Sequence, residues 1–190
     1  MSFKLEKEIE KYCPYNDQEE SDKSILLDLL KREKNIFSRE NKLCHFTVSS
    51  WIVNEEKTKV LMIYHNIYNS WAWTGGHADE EINLLKVAIT EAKEETGLKN
   101  IKALSENIFS IEILTVDGHI KNGRYVSSHL HLNVTYLLEA KETDVLFIKE
   151  DENSGVAWIK IEESEEISKE ENMKVIYKKL NDKLKKYLRS

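Results

Sequence analysis

The spacing of apolar positions along the chain changes period several times, and each change predicts an element. Ile25, Leu26, Leu29 and Leu30 recur at helical spacing after candidate caps at Asp17 or Ser21, which predicts an amphipathic packing helix running towards Lys34. The pattern then shortens. HFTVSSWIVN (45–54), the turn-like EEKTK and VLMIYH (60–65) read as a β-hairpin rich in β-branched and aromatic residues. After Gly75 and Gly76, the run from Asn83 to Thr96 returns to helical spacing, with Leu85, Ala88 and Ala92 on one face and Gly97 suited to a left-handed residue after the last turn. Strands are predicted over 108–116, 129–140 and 155–161. A terminal helix carries Met173, Ile176, Tyr177, Leu180, Leu184 and Leu188 as its apolar stripe, with Lys178, Lys179, Lys183, Lys185 and Lys186 on the other face.

Punctuation between these elements is sparse. Pro14 is the sole proline, glycines number 6, and no Gly/Ser-rich or Pro-rich stretch divides the chain, so residues 1–190 are expected to form a single domain. Its expected parts are an N-terminal helical extension of about 1–40, a core of about 44–160 and a C-terminal helix of about 165–188. With 41% hydrophobic and 33% charged residues, the chain suits a folded soluble domain, and no apolar run approaches the length of a membrane span. The opening MSFKLEKEIEK lacks the apolar segment of a secretory signal, which makes the cytoplasm the expected compartment. Cys13 and Cys44 have no disulfide or zinc-knuckle spacing and are expected to be free thiols. A net charge of −6 argues against a duplex nucleic-acid binder, whose affinity rests on Lys and Arg neutralising phosphates.

The helix over 83–96 carries the candidate chemistry. Residues three and four apart are helical neighbours, so Glu91 lies beside both Glu94 and Glu95. Like charges at that spacing cost only about 0.2–0.5 kcal/mol per pair, a penalty that solvent tolerates and a bound cation would reverse. Paired glutamates also occur at 19–20, 55–56, 80–81, 162–163, 165–166 and 170–171, so the trio alone fits a solvated acidic face better than a metal site.

The surrounding frame separates these readings. GGHADEEINLLKVAITEAKEETGL (75–98) resembles the box of the Nudix family, usually written G-x5-E-x7-R-E-U-x-E-E-x-G-U with U aliphatic: Gly76, Glu91, Ala92, Glu94, Glu95, Gly97 and Leu98 fall in register without a gap. Ile82 stands where the first glutamate is usual and Thr90 where the arginine is usual, and the GGHAD opening marks a variant in which Asp79, Glu80 and Glu81 are candidates to compensate locally. The resemblance implies the Nudix fold, an α/β/α sandwich around a mixed β-sheet. It also implies a hydrolase of phosphoric anhydrides, a pyrophosphohydrolase cleaving a nucleoside diphosphate linked to another moiety: a nucleotide sugar, an ADP-ribose-like compound, a dinucleotide or a nucleoside triphosphate.

By the same resemblance Glu91, Glu94 and Glu95 with the Gly75 carbonyl hold Mg²⁺ or Mn²⁺, hard cations that favour oxygen donors. Glu91 is either a ligand or the water-orienting base. Some members place the base on a later loop, where Glu150, Asp151 and Glu152 stand, with Glu152 the preferred candidate. Trp73, with Trp71, could stack on a nucleobase or pack in the core. His77 could touch phosphate or be a solvent-facing loop residue, and His129 and His131 share a strand face that reads as a pocket wall or a half-exposed sheet. Arg124 could clamp a phosphate or sit in an ordinary surface turn. Homodimers are common in the family, and no interface is readable here. Two rival classes remain: a non-catalytic nucleotide-binding or regulatory module, suggested by Ile82 and Thr90, and isopentenyl diphosphate isomerase, which needs a catalytic cysteine that the surroundings of Cys44 do not signal.

Overall fold

The computed structural model of the protein describes residues 3–121 and 123–189. In chain order the elements are α1 (Phe3–Lys11), α2 (Asp17–Arg32), β1 (Cys44–Val53), β2 (Lys59–His65), β3 (Ser70–Ala72), β4 (Thr74–His77), α3 (Leu84–Thr96), β5 (Ile101–Ala103), β6 (Ser110–Val116), β7 (His119–Lys121), β8 (Arg124–Val126), β9 (His129–Ala140), β10 (Asn153–Lys160), α4 (Ile161–Ser164) and α5 (Glu171–Tyr187). Eight strands form one sheet whose main path runs β10-β2-β1-β9-β5, with β3 on β2, β4 on β1 and β6 on β9, while β7 and β8 make a separate ribbon. This is the α/β architecture expected from the sequence, a large sheet flanked by helices. Two compact units are distinguishable, one comprising Met1–Ser49, Gly75–Ala88 and Glu106–Tyr136, the other Ser50–Thr74, Ile89–Ser105 and Leu137–Ser190.

In the first unit, the cap of α2 is Asn16, one residue before Asp17, the nearer of the two predicted caps. The Asn16 side chain, on an extended residue with φ −151°, accepts from the Glu19 N–H, satisfying a donor that neither Asp17 nor Ser21 is placed to meet. Every residue of β1 is buried. Its period-two alternation therefore sorts two kinds of interior: Cys44, Phe46 and Val48 are apolar, and His45, Thr47 and Ser49 are polar. The polar set is hydrogen-bonded into a buried network. Thr47 and Ser49 donate to the Asn133 amide oxygen at 3.3 and 2.9 Å, and the Asn133 amide donates to Glu112 at 3.0 Å. Ser110 lies within hydrogen-bond reach of both Glu112 (2.5 Å) and Glu19 (2.8 Å), and the Tyr12 hydroxyl donates to Glu19 at 2.5 Å. Glu19 is fully buried, so α2 does more than supply an apolar cover: it delivers a carboxylate into this network. The same negative surroundings and burial push the Tyr12 hydroxyl pKa up.

In the second unit, β10, β2 and β3 pair antiparallel, and residues 60–63 of β2 are wholly buried. Trp51 and Tyr177, both at 0% exposure, stack with ring centroids 5.3 Å apart and tie α5 to β1. The buried arc of α5 is wider than the predicted stripe. Lys179 and Lys183, expected on the solvent face, are buried beside Leu180 and Leu184, whereas Leu188, expected in the stripe, is exposed just beyond the last turn. Long lysine stems can cover apolar surface, which is why the charge pattern misplaced them. In α3 the inward leucine is Leu84 and not Leu85.

Removing Glu19 takes the acceptor at 2.5 Å from the buried Tyr12 hydroxyl and the acceptor at 2.7 Å from the part-buried Tyr15 N–H, while Ser110 keeps Glu112 within reach. Glu19→Ala should cost about 1–3 kcal/mol for each buried donor left unsatisfied, measurable as a fall in the urea midpoint with an unchanged slope.

Candidate functional site

The box glutamates occupy three different environments on α3. Glu95 is buried at 3% exposure, Glu91 is half-buried and Glu94 is exposed. Helical geometry explains this spread, since Glu95 continues the inward face of Ala88 and Ala92, and Glu94 is turned one residue away from it.

The segment 147–153 is pinned to this half of the helix. The Phe147 N–H donates to the Thr96 carbonyl at 2.8 Å, and the Asn153 amide donates to the Glu95 carbonyl at 2.9 Å. Lys149 then bridges two carboxylates, Glu94 at 3.4 Å and Glu152 at 2.9 Å. Partial burial alone would depress the ammonium's pKa; hydrogen bonds and charge from Glu152 and Glu94 outweigh it and raise the value. A cation is therefore already held between the box helix and the residue expected to serve as base. Asn153, fully buried, had no signature in the sequence: a lone asparagine in an acidic turn reads as solvent-facing until the carbonyl it caps is known.

Gly97 closes the helix at φ +74°, and a Cβ there would lie 2.7 Å from Phe147 Cδ2 and 3.0 Å from the Phe147 backbone nitrogen. The glycine thus serves both the turn and the close approach of the pinned segment. In the other unit Gly75 sits where a Cβ would meet the Val48 carbonyl oxygen at 2.3 Å. That contact explains the glycine independently of any ligand role for its carbonyl.

The start of the box is supported by other residues than the usual pair. Ile82 is exposed, and Thr90 lies on the outer side of α3. Asp79, at φ +45°, makes a two-pronged ion pair with Arg39, with Nε to Oδ1 at 2.6 Å, and the Arg39 hydrogen bond holds the Asp79 pKa low. Glu81 accepts from the Asn83 N–H at 3.0 Å and from Lys86 at 2.6 Å, and the Asn83 side chain accepts from the Lys86 N–H at 3.2 Å. These contacts anchor the loop and the first turn.

The remaining candidates are dispersed. Trp73 is half-buried, its ring edge-on to Tyr177 with centroids 5.7 Å apart and its backbone N–H donating to the Tyr177 hydroxyl at 3.2 Å. Trp71 packs edge-on against Tyr64. Arg124 is exposed on the β7-β8 ribbon, two residues after Asn122, which lies outside the described residues. His77 belongs to strand β4, not to a loop, and with His129 and His131 it joins His45, a residue that sequence reasoning did not single out. The available signal was register: His45 begins the polar alternation of β1 as His129 and His131 begin that of β9.

Comparison with known proteins accords with this fold. A family model described as the NUDIX domain matches residues 45–180. The chain therefore belongs to the Nudix family, and is an enzyme of that family's class, a pyrophosphohydrolase acting on small nucleotide-type substrates with a divalent cation. Among solved structures, that of the C. elegans Ap4A hydrolase binary complex matches with TM-score 0.52 at 16% identity, covering 76% of this chain and 97% of that one. The E. coli dihydroneopterin triphosphate pyrophosphohydrolase matches with TM-score 0.53 at 13% identity, covering 70% of this chain and 92% of that one. The M. smegmatis Nudix hydrolase RenU matches with TM-score 0.53 at 13% identity, over 73% and 84% of the two chains. At such identities the likeness is one of fold. No protein with a curated description matches. Among the described residues, no helix is long and apolar enough to cross a membrane.

Gly97→Ala should destabilise the protein by about 1–2 kcal/mol from the left-handed backbone alone, with a further loss from the Phe147 contact. Gly123→Ala, at φ +73° with nothing within 4 Å of the added Cβ, should show only the backbone part in parallel urea titrations.

Proposed function

We propose that Glu91, Glu94 and Glu95 hold the divalent cation of a pyrophosphohydrolase, and that Glu152 orients and deprotonates the attacking water. The observation that carries this reading is the Glu94–Lys149–Glu152 bridge, with the 147–153 segment hydrogen-bonded to the end of α3. The donor set fits Mg²⁺ or Mn²⁺, because carboxylate oxygens suit hard cations and the Lys149 ammonium already marks a cation position there. When bound, such a cation would offset the negative charge of a pyrophosphate and lower the pKa of a coordinated water.

The roles of this chain's own groups follow from their settings. Glu95, buried and one turn from Glu91, is held rigidly by the helix. Glu94 and Glu152 share one cationic partner, so a divalent ion at Glu94 would compete with Lys149 and release it towards substrate oxygens. Glu152, freed from that ion pair, would take the water proton as the water oxygen bonds to phosphorus and the bond from that phosphorus to the bridging anhydride oxygen breaks, the electron pair leaving on that oxygen with the other phosphoryl group. Trp73, in the same unit as these carboxylates, is a candidate for base stacking. The proposed substrates are nucleoside diphosphates linked to another moiety, the class to which the Ap4A of one neighbour's name belongs; the dihydroneopterin triphosphate of another's shares the phosphoanhydride linkage but carries no nucleoside.

The isomerase reading loses support at Cys44, which is wholly buried with its thiol pKa pushed up, first by burial and then by Glu33. A protonated, inaccessible thiol is not a nucleophile or an acid-base group for a substrate.

A panel of nucleotide sugars, ADP-ribose, dinucleotides and nucleoside triphosphates, assayed with Mg²⁺ and with Mn²⁺, should release a mononucleotide from at least one member. Glu95→Gln should lower kcat by about 10²-fold or more, the scale expected when charge stabilisation is removed from a transition state. Absence of turnover across the panel with either metal would sink the reading. Base identity is resolved separately: Glu152→Gln should reduce kcat by about 10²–10⁴-fold, with KM little changed. If Glu91→Gln does this and Glu152→Gln does not, the base is Glu91.

A further inference from the structure

Four of the chain's 6 histidines converge in the first unit. The His45 ring centroid lies 5.2 Å from His77, 5.0 Å from His129 and 5.0 Å from His131, and His131 lies 4.9 Å from His77 and 5.1 Å from His129. Each comes from a strand: His45 from β1, His77 from the end of β4, His129 and His131 from one face of β9. One donor atom from each of His45, His77 and His131 lies within 4.8 Å of the others. The three box glutamates do not meet that distance among the described residues.

Two features show a built site and not a chance cluster. His45 is only 4% exposed, yet its Nε2 is buried without a hydrogen-bond partner, and the His131 Nε2 is likewise buried and unpartnered. Orphaned buried ring nitrogens cost stability unless something satisfies them. The opposite nitrogens, meanwhile, are engaged: His45 Nδ1 lies 3.1 Å from the Asn41 carbonyl oxygen and His129 Nδ1 lies 2.9 Å from that of Ser127. A carbonyl can only accept, so these Nδ1 atoms carry the proton and the Nε2 lone pairs are left available, the arrangement that metal-binding histidines use.

We propose that His45, His77 and His131, with His129 at a fourth position, bind a late first-row divalent cation, Zn²⁺ in the first instance, as a second metal site chemically separate from the carboxylates. Tetrahedral zinc with bonds of about 2.0–2.1 Å sets neighbouring donors about 3.3 Å apart, so the rings must draw in by about 1.5 Å at most. His77, His129 and His131 are half-buried and have the freedom to do so. Asp79, the nearby carboxylate, is already committed to Arg39 and is not needed as a ligand. The alternative occupant, a phosphate, requires charged imidazoles. Burial first, and the neighbouring histidines after it, depress the His131 pKa to about 3, and burial depresses that of His45. Neutral imidazole is the form that ligates a metal.

The test uses the full chain, stripped with chelator and then titrated with Zn²⁺ against a chromophoric competitor, with Co²⁺ as the spectroscopic substitute. One Zn²⁺ per chain is expected, with a raised melting temperature and intense visible bands from tetrahedral Co²⁺. His131→Ala and His77→Ala should each weaken binding by at least the 10–100-fold that even an outer-shell change costs, while His119→Ala, an exposed histidine outside the cluster, should bind like the parent. Glu94→Gln should also retain the tetrahedral Co²⁺ spectrum, which separates this site from the carboxylate one. Circular dichroism in chelator establishes that each variant is folded, and His77→Ala gives the reading if His131→Ala is not. Absence of zinc binding by the parent, or unchanged affinity in the folded histidine variants, overturns the proposal. So does stronger binding of inorganic phosphate than of zinc.

Discussion

Burial of polar side chains along one face of β1 and β9 is the constraint on which the first unit depends. A strand covered on both sides ordinarily carries apolar residues on both. Here one side carries Thr47, Ser49, Asn133 and Thr135, and each must find a partner inside the protein. Glu112 and Ser110 on β6 supply some of these partners, and Glu19 on α2 completes the set. The N-terminal helices are thus bound to the sheet by hydrogen bonds whose loss is more costly than a solvent-exposed contact would be. At the end of the same face the network gives way to histidines, where no group among the described residues satisfies the Nε2 atoms of His45 and His131.

The second unit depends on a different device. The end of α3 exposes carbonyls that need donors, and the 147–153 segment provides them through the Phe147 N–H and the Asn153 amide. Docking is close enough that residue 97 can carry no side chain. Lys149 and Glu152 are brought to Glu94 by this backbone arrangement and not by their own attraction, which for partly exposed ions is worth about 0–1 kcal/mol. The chemistry proposed for Glu152 therefore rests on Asn153 and Gly97 as much as on the acid itself.

Much of this was legible in the amino-acid sequence, because it depends on local periodicity and fixed spacing. Helical and strand periods placed α2, β1, β2, α3, β6, β9, β10 and α5, and an ungapped register from Gly76 to Leu98 identified the box that carries Glu91, Glu94 and Glu95. Short strands such as β3, β4 and β5 escaped notice, since three or four residues contain too little pattern to reveal a period. By charge the lysines of α5 read as solvent-facing, although Lys179 and Lys183 lie along the buried arc.

Tertiary structure alone decided what meets what. His45 is far in sequence from His77 and His131, and neither composition nor motif relates them; the pairing of strands does, by placing residues of like parity on one face. Asn16 in place of Asp17 as the cap, Asn153 under Glu95, and Arg39 against Asp79 are likewise settled by backbone direction at single residues. Spacing along the chain is enough to put Glu91, Glu94 and Glu95 together on α3. Only the folded chain determined which distant groups reach them, because side-chain direction, not residue type, decides whether a polar group is solvated or shared.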